Sequence, residues 1–244
     1  MRDASGTLVW ISGATQGLGL GLARTVPYEG ARIINISRRP HPDYESVLCD
    51  LTDPSTYGAV ADSFKNEMAD FNGKRAIFIH NAYYQVAGYV GEMDAGDYAR
   101  SIQANAAAPM ILGEMFLRAV KPEFESGLVM MSSAAARVPY EGIASYCAAK
   151  AAMEMWVRTV KRELNDRGRG TWLVAVRPGF VDTPASRRSA TLSPKDCKVA
   201  PMMAQAFESS KMALTPAEAG RQIWAALPPK PDEAVLLFGE MVTA

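Results

Sequence analysis

Seven short apolar runs punctuate this chain, and none of them alternates with polar residues. They are TLVWIS (7–12), ARIINIS (31–37), SVLC (46–49), AIFIH (76–80), GLVMMS (127–132), TWLVAV (171–176) and AVLLF (234–238). A strand with one face in water alternates apolar and polar positions, whereas a strand covered on both faces reads as a continuous apolar run. Between the runs, apolar residues recur at helical spacing over roughly 17–28, 54–69, 95–119, 145–167 and 215–227. Strand and helix alternating over the whole length predict β-α-β units and a parallel sheet with helices on both faces. No Ser- or Gly-rich linker divides the chain, so 1–244 reads as one doubly wound α/β domain. The one long irregular stretch, 182–213, is rich in Pro, Met and Ser, and its length suggests a lid over a site.

Charge and composition remove several function classes. Lys+Arg and Asp+Glu both number 26, so no net field draws the chain to nucleic acid or to an anionic membrane. The N-terminal MRDASGTLVWISG lacks the apolar run of a signal peptide. No stretch approaches the ~20 apolar residues of a membrane span. Cys49, Cys147 and Cys197 are odd in number and widely spaced, which points to reduced thiols in the cytoplasm and away from a zinc site or disulfide frame. His41 and His80 have no metal-binding companions in sequence, so no metal is expected. A serine hydrolase would need one of those histidines and a Gly-x-Ser-x-Gly elbow, which is absent. Asn35-Ile36-Ser37 is a glycosylation sequon inside an apolar strand pattern and reads as accidental.

The chemistry begins directly after the first run. SGATQGLGLGLA sets Gly13, Gly17 and Gly19 between strand and helix, with Thr15, Gln16 and Leu18 among them. Glycines let the backbone approach a dinucleotide pyrophosphate, and the free N–H groups of the helix start favour its negative charge. No Lys-Ser or Lys-Thr follows, which excludes a mononucleotide P-loop. A second pattern is ASYCAAKAAMEMW (144–156). Tyr146 and Lys150, four residues apart, share one helix face on a stretch that otherwise favours burial. One reading is a surface stripe in which Lys150 pairs with Glu154. The other is a phenolic acid whose proton affinity is set by the neighbouring ammonium.

Taken in order, these patterns resemble the short-chain dehydrogenase/reductase family. The resemblance rests on Gly-x-x-x-Gly-x-Gly and on HNAY (80–83), which stands in the place of Asn-Asn-Ala-Gly. It continues through Asn105 in QANAA, Ser133 in MSSAAA, Tyr146-x-x-x-Lys150 and RPGFVDTP (177–184). It spans about the whole chain and implies a Rossmann-type fold and an oxidoreductase acting on CH–OH or C=O groups. The C-terminal third, with TPAEAGRQIWAAL and VLLF, resembles the branch containing sepiapterin and benzil reductases, which implies a compact ketone or vicinal diketone.

By that resemblance Asn105, Ser133, Tyr146 and Lys150 are the catalytic residues. Hydride addition to a carbonyl carbon leaves an oxyanion that needs a proton, and a tyrosine with its ordinary pKa near ~10 is a sluggish donor. An ammonium within ~4–6 Å favours the phenolate. Tyr146 is therefore expected to be the acid/base, with Lys150 lowering its pKa and reaching the nicotinamide ribose. Ser133 is expected to bond the substrate oxygen. Asn105 is expected to hold a relay water, although read alone it also suits a helix kink or an interhelical bond. For the cofactor, Gly13, Thr15, Gln16, Gly17, Leu18 and Gly19 would cradle the pyrophosphate. Asp50 and Leu51 would meet the adenine, although Asp50 also suits a helix cap. Asn81 and Ala82 would line the adenosine, and Pro178, Gly179, Val181 and Thr183 would hold the carboxamide.

Ser37-Arg38-Arg39 ends the second run, where an acidic residue would bind the ribose 2′-hydroxyl of NAD; two arginines there predict NADP(H). Tyr83 replaces the family glycine beside the nicotinamide, where its ring could crowd the cofactor, stack on substrate or turn outward, and Tyr84 follows it. His80 reads as a strand-end polar residue. Met202, Met203 and Met212 would give the lid an adaptable apolar wall, or else pack in the core. Arg187 and Arg188 read better as a solvated pair than as an anion site. The chain is thus expected to be an NADPH-dependent reductase of a small ketone or diketone, cytoplasmic, without nucleic acid or membrane partners. It is expected to be a homodimer or homotetramer through the apolar faces of 95–119 and 145–167. Two alternatives are a catalytically silent NADPH-binding regulator and a reductase of carrier-bound acyl ketones. The first has no need of Asn105, Ser133, Tyr146 and Lys150 together, and the second would want a basic docking patch.

Overall fold

All seven apolar runs form strands: β1 (Thr7–Ser12), β2 (Arg32–Ser37), β3 (Glu45–Leu48), β4 (Arg75–His80), β5 (Glu125–Met131), β6 (Trp172–Arg177) and β7 (Val235–Leu237). The structure is a computed structural model that describes residues 6–69, 71–209 and 213–239. Every adjacent pair of strands is parallel, and the order across the sheet is β3-β2-β1-β4-β5-β6-β7. After β3 the chain crosses back over β1 to lay down β4. The carboxyl ends of β1 and β4 therefore flank the switch point where ligands of such sheets bind.

The sheet separates two apolar cores, and successive strand residues feed them alternately. Leu8 and Trp10 of β1, Ala76 and Phe78 of β4, and Leu128 and Met130 of β5 face one side. There they meet α2 (Tyr57–Ala69), α4 (Ala108–Ala119) and α5 (Ala144–Asp166) through Phe64, Met68, Phe116 and Met153. Val9, Ile11, Ile77, Ile79, Val129 and Met131 face the other side, against α1 (Gly17–Arg24) and α8 (Pro216–Ala225) through Leu22, Ile223 and Trp224. Each core has an indole whose N–H is satisfied, as a buried donor requires. Trp10 Nε1 donates to Ser63 Oγ at 3.1 Å, and Trp224 Nε1 donates to the Leu22 carbonyl at 2.9 Å.

Two stretches depart from the sequence reading. The segment 95–119 is not one regular helix: α3 (Ala95–Ile102) runs into a π-helical turn at Gln103–Ala107 before α4 begins. Pro109 supplies a reason, since it has no N–H to give the Asn105 carbonyl and its ring crowds that position. The stretch 182–213 is not irregular throughout, because it contains α6 (Pro184–Ala190) and α7 (Ala200–Glu208). Thr183 caps α6 and exchanges bonds with Ser186, with Pro184 in the first turn. That is the capping-box arrangement that starts short helices.

Gly19 packs α1 against the turn that precedes it, so that a Cβ at this position would lie 2.2 Å from the Gly13 carbonyl oxygen. Gly58, in contrast, lies in α2 with nothing within 4 Å of such an atom. Gly19→Ala is expected to cost about 1–3 kcal/mol through overpacking. Gly58→Ala is expected to add up to about 1 kcal/mol by restricting the unfolded chain. Urea unfolding of the two variants should give changes of opposite sign.

Candidate active site

The short polar side chains at the strand ends fasten the loops of the switch point. Ser12 Oγ accepts from the backbone N–H of Asn81 (2.8 Å) and of Ala82 (2.9 Å), while Asn81 Nδ2 donates to the Ser12 carbonyl at 3.1 Å. The glycine turn is tied to β2: Gly13 N donates to Ile36 O at 2.8 Å and Ala14 N to Asn35 Oδ1 at 3.1 Å. Gly17 has φ +56°, and a Cβ on it would lie 3.2 Å from Thr183 Cβ, so the cap of α6 sits over the turn. Thr15, Gln16 and Leu18 complete the turn, and Gln16 is the first cap of α1 without a side-chain bond. A close-packed turn with glycine at 13, 17 and 19 at the start of α1 fits the pyrophosphate of a nicotinamide dinucleotide.

The outer parts of that crevice are also in place. Arg38 and Arg39 are exposed just beyond β2, and among the described residues no carboxylate pairs with either. Asp50 Oδ1 accepts from Thr52 N (2.9 Å) and Thr52 Oγ1 (2.8 Å), which makes it a turn former; the cap of the following 3-10 turn is Asp53. Leu51 accepts from the Tyr57 hydroxyl through its carbonyl at 2.6 Å. Beyond β6, Pro178 and Gly179 lead to Val181, which bridges to Leu214.

Ser133, Tyr146 and Lys150 converge where β5 ends and α5 starts. Ser133 caps the 3-10 turn Ala134–Ala136, its Oγ accepting from Ala135 N at 3.2 Å. Lys150 is buried, donates to the Met131 carbonyl at 2.7 Å and has its Nζ 5.4 Å from the Tyr146 ring centroid. Burial pushes the Tyr146 phenol well above its ordinary value, the Tyr83 phenol adds to this, and a hydrogen bond with Ser133 pulls the other way. Dehydration thus dominates the phenol, and the nearby Lys150 ammonium is engaged at the Met131 carbonyl. Burial brings Lys150 itself down to about 8, against the Glu154 carboxylate, which holds it up.

Glu154 is not a surface partner of Lys150. It is 4 % exposed, accepts from Ser132 Oγ at 2.7 Å, and takes two parallel bonds of 2.7 Å from Arg177 Nε and Nη2. Burial opposes its charge, but Arg177 and Ser132 outweigh that and hold the carboxyl below its ordinary range. The triad fixes α5 to the ends of β5 and β6, next to Ser133 and Pro178 respectively. Neither Glu154 nor Arg177 was singled out by sequence reasoning as a positioning group. The signal was a carboxylate one turn beyond Lys150 on the same face.

Asn105 is turned to a structural task. Its Oδ1 accepts from Tyr84 N and its Nδ2 donates to Tyr84 O, both at 2.8 Å, with a longer bond of 3.3 Å to Ser101 Oγ. Its side-chain amide thus holds the backbone of Tyr84. Tyr84 bonds Asp97 of α3 through its hydroxyl at 3.1 Å. Tyr83 behaves differently: its ring lies 5.6 Å from that of Tyr146, and it is 39 % exposed. His80 is buried, and among the described residues neither ring nitrogen is hydrogen-bonded. Burial, and then the Lys150 charge, pushes its pKa down to about 3, so it stays neutral.

The stretch expected to be a lid is bonded to the segment after β4 and to the segment before α5. Gln85 Nε2 donates to Ser189 Oγ of α6 at 2.5 Å, and Lys198 N donates to the Glu141 carbonyl at 3.1 Å. Arg187 and Arg188 are both exposed, and Arg187 makes two bonds to Asp182 and lies over the Phe207 ring. Met202 is 37 % exposed on α7, Met203 is half-buried, and Met212 lies outside the described residues. Among the described residues no cluster of His, Cys, Asp and Glu could hold a metal, and no helix is long and apolar enough to cross a membrane.

A family model described as short chain dehydrogenase matches residues 7–192. The chain belongs to the short-chain dehydrogenase family. Benzil reductase ((S)-benzoin forming) of Bacillus cereus is 28% identical over 193 residues, covering 72% of this chain and 76% of the relative. The 3-oxoacyl-(acyl-carrier-protein) reductase of Salmonella typhimurium is 24% identical over 192 residues, covering 75% of this chain and 76% of the relative. The fold matches that of aldohexose dehydrogenase from Thermoplasma acidophilum with a TM-score of 0.78, at 21% identity, covering 99% of this chain and 96% of that one. The family places the chain among oxidoreductases that use a nicotinamide cofactor.

As a short-chain dehydrogenase the chain is expected to depend on Glu154 for stability. Glu154→Leu leaves the Arg177 guanidinium unpaired and should cost about 3–5 kcal/mol, whereas replacing both partners by leucine should cost much less. Urea unfolding of the single and double variants separates the two cases.

Proposed function

We propose that this chain is an NADPH-dependent carbonyl reductase that acts on a small ketone or diketone and, in reverse, oxidises the corresponding alcohol. The observation that carries the reading is the meeting of Ser133, Tyr146 and Lys150 on the sheet edge that also carries the glycine turn, with Arg38 and Arg39 at the end of β2 paired with no carboxylate among the described residues. When bound, the cofactor supplies the hydride. Tyr146, kept protonated by burial, gives its proton to the carbonyl oxygen as charge develops there. Ser133 donates a hydrogen bond to the same oxygen, and the Lys150 ammonium offsets the charge left on the phenol. Glu154 favours the charged form of that lysine, and Asn105 fixes the Tyr84 backbone.

Several features support the finer parts of the reading. Arg38 can grip a ribose 2′-phosphate with paired, charge-assisted bonds, and no acidic residue stands at the end of β2 to repel it. The likeness to benzil reductase suits a compact, aromatic carbonyl, with Tyr83 as one wall of the pocket and α6 and α7 in the stretch 182–213 as its lid. The likeness to the 3-oxoacyl reductase supports a second reading, carrier-bound acyl ketones as substrates. Ile102, Ile111 and Met155, exposed on α3, α4 and α5, support pairing between copies of the chain. A carbonyl panel of diketones, pterins and 3-oxoacyl thioesters, followed by NADPH absorbance, tests the substrate class.

Tyr146→Phe is expected to lower kcat by 10²–10⁴-fold while leaving cofactor affinity nearly intact. Retention of more than about a tenth of the activity would remove Tyr146 as the acid. The wild type is expected to prefer NADPH over NADH by roughly ten- to a hundred-fold in kcat/KM. Arg38→Asp should reverse that preference, since it removes the grip and adds repulsion.

A further inference from the structure

Asn35 lies in the middle of β2, is fully buried, and is not a cofactor contact in the reading above. A primary amide in a strand covered on both faces is costly unless each of its polar atoms finds a partner. Here the amide is partnered at both ends. Oδ1 accepts from Ala14 N, inside the glycine turn, at 3.1 Å. Nδ2 donates to Ser37 Oγ at 2.9 Å and to Ser46 Oγ of β3 at 3.1 Å, with a longer approach of 3.4 Å to the Arg39 carbonyl.

The two serines extend this reach. Ser37 Oγ donates to the Arg39 carbonyl at 2.5 Å and so curls the Ser37–Arg39 turn around Arg38. Ser46 Oγ accepts from His41 N at 2.9 Å and closes the loop that follows. One side chain therefore ties the pyrophosphate turn to the turn that carries the two arginines, and both to β3. An apolar residue of the same size would fill the space and leave both turns without this common anchor.

We infer that Asn35 is the positioning residue for cofactor choice: it sets Arg38 at a fixed offset from the glycine turn, so that 2′-phosphate and pyrophosphate are gripped together. The inference rests on the proposed NADP reading. Loss of the anchor would cost the doubly anchored NADPH more than NADH, which has no group for Arg38 to grip.

The test compares Kd for NADPH and for NADH in the wild type, Asn35→Leu and Ser46→Ala, by fluorescence titration of samples shown to be folded by circular dichroism. Asn35→Leu is expected to lower the NADPH/NADH preference about ten-fold. Ser46→Ala, which removes only the β3 side of the anchor, should lower it by a smaller factor in the same direction. A defect that is purely structural would weaken both cofactors alike and leave the ratio where it was. If Asn35→Leu does not fold, Ser46→Ala alone decides, and an unchanged ratio there overturns the inference. A wild type that prefers NADH removes the NADP reading and this inference with it. A wild-type preference for NADPH that survives in every folded variant overturns the inference alone.

Discussion

Because all seven strands run the same way, their carboxyl ends line one edge of the sheet, where the ladders stop and several backbone groups need other partners. The chain satisfies them with side chains carried on neighbouring elements. Ser12 serves the backbone beyond β4, Asn35 the turn beyond β1, and Lys150 the last carbonyl of β5. Glu154 joins the ends of β5 and β6 through Ser132 and Arg177. Tyr146 and Ser133 lie along that same edge. Precise placement of Tyr146 and Ser133 is thus a by-product of satisfying a row of unpaired peptide groups.

Much of the fold was legible for a physical reason: strands covered on both faces leave continuous apolar runs, and each of those runs is a strand within one or two residues. The breaks were harder to read. Pro109 was visible, but apolar periodicity on both sides of it masked the π-helical turn that it favours at Asn105. The capping signal Thr183-Pro184-x-Ser186 was likewise present in a stretch whose Pro and Ser content suggested loop. For the site, the order of motifs identified Ser133, Tyr146 and Lys150, and spacing put the last two on one helix face. Spacing says nothing about which neighbour a side chain selects. Asn105 therefore proved to hold Tyr84, and Glu154 proved to be paired with Arg177 rather than with Lys150.

The electrostatics of α5 follow from the same burial. Dehydration moves a phenol and an ammonium in opposite directions, since each loses its charged form. Tyr146 is left with its proton firmly held, and Lys150, at about 8, is the member of the pair that titrates closest to neutrality. Glu154, one turn further along the helix, opposes the drift of the lysine and is itself kept ionised by Arg177. His80, across from them on β4, adds no charge. The pocket thus carries one adjustable cation beside a neutral acid.

The division of the interior by the sheet affects how substitutions combine. Leu8 and Trp10 share no core with Val9 and Ile11, although they alternate along one strand. A change of volume behind α1 and α8 can reach the layer behind α2, α4 and α5 only by shifting a hydrogen-bonded strand as a whole. Free energies of substitutions on opposite faces should therefore sum nearly independently, while those within one layer couple. Since α5 belongs to one layer and the glycine-started helix to the other, the surroundings of Tyr146 and of the glycine turn can drift apart in sequence on separate schedules.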